Sequence, residues 1–319
     1  LSGSNGQKSR GAEFSFTEPF FMDRRLAAGF DLYTKYSDPT SYQRYRLHTT
    51  GFTLRAGVPI TEEFSVGTRY SLYEQRIRIP NSGSYLYDDC AAGAPAGDPC
   101  IANGEASVAL KEAKGKTVTS LAGLTLAYNT LDNNKDPSQG MFAELKPEFA
   151  GLGGDSHFAR ITGSFRYYHS LTDDLIGMFK LQGGHMAAVG SDKLRILDHF
   201  YMGPELVRGF QSSGIGPRDK NGDSTANSVG GTTYFGATAE LTFPIFGIPR
   251  EIGLRGAVFA DAGTLFGYRG KKVVEINGVG GAQCGAGLAQ SECLDIRDES
   301  KIRSSIGAGI LWASPLGPI

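Results

Sequence analysis

One cation in this 319-residue chain sits where chemistry is expected: Val207-Arg208-Gly209-Phe210, inside a long run rich in Gly, Ser, Asn and Asp. A guanidinium carries five N–H donors in a rigid fork, which suits it to carboxylates. Two carboxylates follow on the next apolar segments, Glu240 and Asp261. Gly209 permits a tight backbone turn next to the cation, and Phe210 offers an apolar body that can pack on a wall. From the residues alone two readings stay open. Arg208 is either held by Glu240, Asp261 or both, or it is a surface charge while the two carboxylates bind water.

The other reactive side chains offer less. His48, His157, His169, His185 and His199 have no metal-binding spacing. Asp219 to Asp223 reads DKNGD, but Ser224 and Gly230 occupy positions where a calcium loop needs Gly and Glu. There is no GxSxG elbow and no P-loop, and Asp198 and His199, adjacent in sequence, would point to opposite faces of a strand. The expectation is a protein without catalytic residues, metal or cofactor.

The elements that must position Arg208 are strands. In 26–36, Ala28, Phe30, Leu32, Thr34 and Tyr36 share one face; in 64–73, Phe64, Val66, Thr68, Tyr70 and Leu72 do. The same period of two runs through 141–149, 158–168, 175–184, 235–243 and 253–262. In 235–243 and 253–262 the face opposite the apolar one carries Glu240 and Asp261, so consecutive strands direct both carboxylates to one side. Apolar faces often end in an aromatic residue, as at Tyr36, Tyr128 and Trp312, in the manner of interfacial girdles. A soluble β-sandwich also alternates, but its strands average about 5–6 residues. Several here reach ten or more, enough to cross a bilayer at a tilt.

Eleven strands are expected, at about 14–21, 26–36, 45–58, 64–78, 106–128, 141–150, 158–169, 175–189, 232–243, 252–268 and 301–313. Every second link is compact, and the long links 79–105, 190–231 and 269–300 all leave the other rim. Outer-membrane barrels have this asymmetry of short turns and long external loops. The fold class is therefore all-β, a transmembrane antiparallel β-barrel. Single-chain bacterial barrels close with an even number of strands, so an odd count in a chain ending WASPLGPI is expected to represent part of a barrel.

Composition agrees. No apolar run approaches a membrane-spanning helix, and the mean hydropathy of −0.22 is what alternating lipid-facing and lumen-facing residues produce. A net charge of −1 gives no basic surface for nucleic acid. Four cysteines fall as two local pairs in long links, Cys90 with Cys100 and Cys284 with Cys293. Their spacings do not match zinc ribbons or knuckles, so two short disulfides in an oxidising compartment are expected.

The stretch VRGFQSSGIGPRD at 207–219 resembles the sixth-loop motif of the BamA family of outer-membrane barrel-assembly proteins. Four further segments are similar in the family's order: AEFSFTEPFF at 12–21, NTLDNNKDPSQGMFAEL at 129–145, GAVFADAGTLF at 256–266 and SSIGAGILWASPLGPI at 304–319. The resemblance implies a barrel of about sixteen strands, of which residues 1–319 would supply about eleven or twelve. The periplasmic POTRA domains and the first and last strands would lie outside the chain. It implies that loop 190–231 folds into the lumen and that its arginine, Arg208, contacts acidic residues matching Glu240 and Asp261. It further implies non-enzymatic folding and insertion of outer-membrane proteins at a weakly closed seam. The implied partners are unfolded clients, periplasmic chaperones, accessory lipoproteins and outer-membrane lipid. A two-partner secretion transporter or sister insertase is the alternative, followed by a passive porin.

Overall fold

The computed structural model describes residues 2–40, 43–82, 85–86, 106–107, 109–110, 113–172, 174–190, 194–219, 227–245, 247, 253–270, 296–314 and 317–318. The four cysteines lie outside the described residues. One antiparallel sheet dominates, and its strands pair strictly in chain order. They are β1 (Ser2–Asn5), β2 (Ser9–Glu18), β3 (Ala27–Ser37), β4 (Arg46–Pro59), β5 (Phe64–Arg78), β6 (Gly115–Asn129), β7 (Gly140–Gly154), β8 (Phe158–Thr172), β9 (Leu175–Ala188), β10 (Thr233–Pro244), β11 (Leu254–Phe266), β12 (Arg303–Ser314) and β13 (Gly317–Pro318). Eleven are long, flanked by the four-residue β1 and the two-residue β13.

Two expected boundaries are corrected. The strand expected over 106–128 begins only at Gly115, and Ala109–Leu110 are helical. Ala and Leu are good helix formers, and the strand opens at Gly115, at φ 127. The strand expected at 14–21 lies at Ser9–Glu18. Phe20, Phe21 and Met22 instead occupy the turn, where they are 63%, 40% and 77% exposed. Their apolarity reflects a place near the bilayer interface rather than in the ladder.

Register sorts the side chains to two faces, because directly paired residues share a face. Leu32, Leu54, Leu145, Ile161, Phe179, Leu181, Phe235 and Val258 all point outward and are exposed although apolar, as a lipid-facing wall requires. The inner face is polar. One rung runs Arg55–Arg69–Gly123–Glu148–Arg160 across β4 to β8. Another runs Arg166–Lys180–Thr238–Asp261–Ser305 across β8 to β12.

The apolar core lies inside the sheet, beneath the long loops. One cluster gathers Ile77, Ile79, Leu110, Ile196, Val229 and Tyr268 from several loops and strand ends. The second joins Leu121, Ala150 and Phe158 of the wall to Leu194, Phe200, Leu206 and Val207 of the segment following β9. A short three-stranded sheet, Asn227–Ser228, Arg218–Asp219 and Ile296–Arg297, ties the loop after β9 to the loop after β11. The Ser107 hydroxyl, in the loop after β5, donates to Asp219 Oδ2 at 2.5 Å. Three long connections therefore meet on one rim.

Candidate functional site

The site is built where the segment following β9 descends against the inner face of β10 and β11. The backbone turns at Gly203, whose carbonyl accepts from the N–H groups of Leu206 and Val207 at 3.1 and 3.0 Å. Glu205 Oε1 accepts the Gly203 N–H at 2.6 Å, and Gln182 of β9 donates to the Glu205 carbonyl at 2.9 Å. Leu206 then drops into a dent made by two glycines on one rung. A Cβ on Gly236 would come 2.5 Å from Leu206 Cδ1, and one on Gly263 would come 2.8 Å from its Cγ. Leu206 and Val207 are 2% and 0% exposed. Burying two such side chains contributes roughly 1.5–3 kcal/mol each. This apolar seat fixes the backbone just before the cation.

Arg208 engages two strands. Its backbone N–H and its Nε both donate to Asp261 Oδ2, at 3.0 and 2.7 Å, and one terminal nitrogen donates to Asp261 Oδ1 at 2.8 Å. The other terminal nitrogen donates to Glu240 Oε2 at 2.5 Å. The guanidinium carbon lies 3.4 Å from the centroid of the Phe259 ring, so the planar cation stacks on an aromatic face. The strand pattern explains this constellation. Phe259 and Asp261 are two residues apart on β11, while Glu240 and Thr238 sit directly opposite them on β10. The four therefore form a square patch, with the aromatic ring as floor and carboxylates on two sides.

Electrostatics make the clamp specific. The side chain of Asp261 is only 2% exposed and that of Glu240 15%, against 36% for Arg208. Buried carboxylates are costly unless paired and hydrogen-bonded, and here one cation satisfies both. A lysine ammonium cannot reproduce the fork, the stacking and the backbone-directed geometry together. Gly209, at φ 90, takes a backbone conformation that favours glycine, and the chain turns there without strain. Phe210 is partly buried against the same lumen cluster.

Sequence reasoning brought Arg208, Glu240 and Asp261 to one side but assigned no role to Phe259. The signal was available, since Phe259 shares the Asp261 face. It also missed the Gly236–Gly263 dent and a second cluster around Glu148, because neither carries a motif. Among the described residues no group of His, Cys, Asp or Glu is arranged to hold a metal ion. The arrangement shown is a structural clamp, in which one cation from the loop engages carboxylates on two neighbouring strands.

Assembly factor BamA of Neisseria meningitidis serogroup B is 26% identical over 330 residues, covering 100% of this chain and 39% of that protein. BamA of Nitratidesulfovibrio vulgaris is 25% identical over 308 residues, covering 96% of this chain and 32% of that protein. The chain thus spans about a third of the length of these curated relatives. The crystal structure of BamA from Haemophilus ducreyi lacking POTRA domains 1–3 superposes with a TM-score of 0.72 at 18% identity, over 99% of this chain and 58% of that one. The shared fold is that of an integral outer-membrane β-barrel. The Omp85 superfamily domain matches residues 1–319 throughout, and the chain belongs to the Omp85 superfamily.

Proposed function

We propose that this chain is the membrane-embedded part of an outer-membrane protein assembly factor, which folds and inserts β-barrel clients without nucleotide hydrolysis. The observation that carries the reading is the Arg208 clamp. A passive porin needs a polar lumen, but it has no need of a long loop seated through a cation on a buried carboxylate and two strands. In the assembly reading the clamp holds the loop inside the lumen, leaving the wall able to offer backbone groups to an incoming strand. Addition of that strand is β-augmentation, in which main-chain hydrogen bonds supply affinity independently of client sequence. No catalytic residue is required, and the protein is proposed not to be an enzyme. Partners in this reading are unfolded outer-membrane clients, the chaperones that deliver them, accessory lipoproteins and the surrounding lipid. The relatives named as assembly factors support it.

Depletion of the protein in its native cell tests this directly, with quantitative proteomics of the outer membrane as the readout. The reading expects many unrelated barrel proteins to fall together. Loss of one secreted partner alone would favour the transporter alternative, and loss of small-solute uptake alone would favour a porin.

A further inference from the structure

The inner face of the sheet between β6 and β11 is bridged at both ends. Towards the rim of long loops, the segment running from residue 194 to Arg208 crosses it. Its far end is the Arg208 clamp on β10 and β11. Its near end is a second polar contact. Arg195 donates to the Ser156 hydroxyl, in the short connection between β7 and β8, and its Nε donates to Asp198 Oδ2 at 3.3 Å. Ser156 in turn shares a hydrogen bond of 2.9 Å with Thr119 of β6. Ser156, Thr119 and Asp198 are 2%, 0% and 7% exposed. Burial raises the Asp198 carboxyl above its usual range, and the guanidiniums of Arg195 and, more weakly, Arg160 oppose that.

The wall under this contact is itself cross-linked. Glu148 of β7, with a side chain 4% exposed, pairs with Arg160 of β8 at 2.6 Å and with Arg69 of β5. Arg69 reaches past β6 because Gly123 lies between them: a Cβ there would stand 3.2 Å from Arg69 Cγ.

At the opposite rim a second bridge spans the same strands. Asp136, in the turn between β6 and β7, accepts two parallel bonds of 3.0 Å from Arg255 on the inner face of β11. That turn is built to hold its shape. Asp132 Oδ1 accepts the N–H groups of Ser138 and Gln139 at 3.0 and 3.1 Å, and Gly140 takes φ 102.

Two chords of independent chemistry thus join one stretch of wall. We propose that β6 to β11 form a strapped arc of fixed curvature, held by the Arg195–Arg208 segment at one rim and by Asp136–Arg255 at the other. Changes of barrel shape are then confined to the strands outside the arc. The ladder alone does not impose this, because antiparallel strands pivot about their shared hydrogen bonds and sheet twist varies widely from pair to pair. A chord that joins strands five positions apart removes that freedom.

The test is a distance measurement on the full-length protein in lipid nanodiscs, without client. Spin labels are placed on genetically encoded non-canonical residues at the lipid-facing positions Leu126 of β6 and Val258 of β11. A control pair, Leu32 of β3 and Leu126, spans strands that neither strap joins. The proposal expects a narrower distribution for the strapped pair than for the control. Breaking both straps with Arg195→Ala and Asp136→Asn should broaden and shift the strapped distribution while sparing the control. If Arg195→Ala prevents folding, Ser156→Ala replaces it and should act in the same direction with a smaller shift. An unchanged strapped distribution with both contacts broken, or equal broadening of both pairs, would overturn the proposal. Because no client is present, this outcome is separate from that of the assembly reading.

Discussion

Two arginine–carboxylate pairs anchor connecting segments to the same strand, β11. Arg255, near one end of β11, receives a turn through Asp136, and Asp261, further along the same face, receives Arg208 from a loop. Both contacts are forked and both span many residues. Their surroundings differ. The Asp136 and Arg255 side chains are 49% and 37% exposed, so water competes for every bond and salt screens the pair. Asp261 is 2% exposed, sits under a guanidinium stacked on Phe259, and receives three bonds from one residue. The same pairing chemistry thus yields, at one site, a tether that constrains geometry but adds little stability and, at the other, a clamp that does both. Desolvation makes the difference: it strengthens the pair when complete and penalises the survivor when broken.

Arg208→Ala should give the largest effect. It leaves the buried Asp261, with the partly buried Glu240 beside it, without a cation, at a cost of about 3–5 kcal/mol, read as barrel unfolding in lipid or detergent. Arg208→Lys should recover only part of that loss, because the fork and the ring stacking are gone.

Acid should weaken the loop side of the comparison next. His199, 5% exposed beside Tyr268, has its imidazole pushed down by burial from 6.5 to about 4. A folded pKa below the unfolded one means the unfolded chain binds the proton more tightly. The contribution to stability is therefore full above about pH 6.5 and is lost as pH falls towards 4. His199→Leu should flatten this part of the stability profile, and an unchanged profile would remove His199 from the account.

Phe259→Leu keeps an apolar floor but removes the aromatic face. It should cost about 1–2 kcal/mol, the range of a partly desolvated cation–π contact, and the loss should vanish in an Arg208→Ala background. Arg255→Ala should be the mildest change, about 1 kcal/mol or less and smaller still in high salt. A larger or salt-insensitive effect there would erase the contrast between the two clamps.

How much of this was legible from sequence follows from the range of each signal. Alternation is local, and it placed β5 at Phe64–Arg78 and β9 within a residue of Leu175–Ala188. It also put Glu240 and Asp261 on the inner face. It failed at Ala109–Leu110, where helix formers were read as strand, and at Phe20 and Phe21, where exposed turn aromatics mimicked a ladder. The residues left the Arg208 clamp as one of two open readings, and the resemblance of 207–219 to the BamA family's loop motif is what favoured it. Arg69, Gly123, Glu148 and Arg160 were not assembled, because each is unremarkable alone. Only the register, which brings β5 to β8 side by side, reveals one rung. Leu206 in the Gly236–Gly263 dent was hidden for the same reason: a missing side chain on two strands has no meaning until the loop residue that fills the gap is known.

The central claim is that Arg208 and Asp261 act as one coupled unit, and a double-mutant cycle measures that coupling directly. Unfolding of the protein in lipid would be followed for wild type, Arg208→Ala, Asp261→Asn and the double variant. The account predicts that the two single losses are similar and that the double variant costs clearly less than their sum, by the roughly 0.5–3 kcal/mol expected of residues in one network. Strict additivity would show that the two residues stabilise the barrel independently, and the clamp would not exist as described.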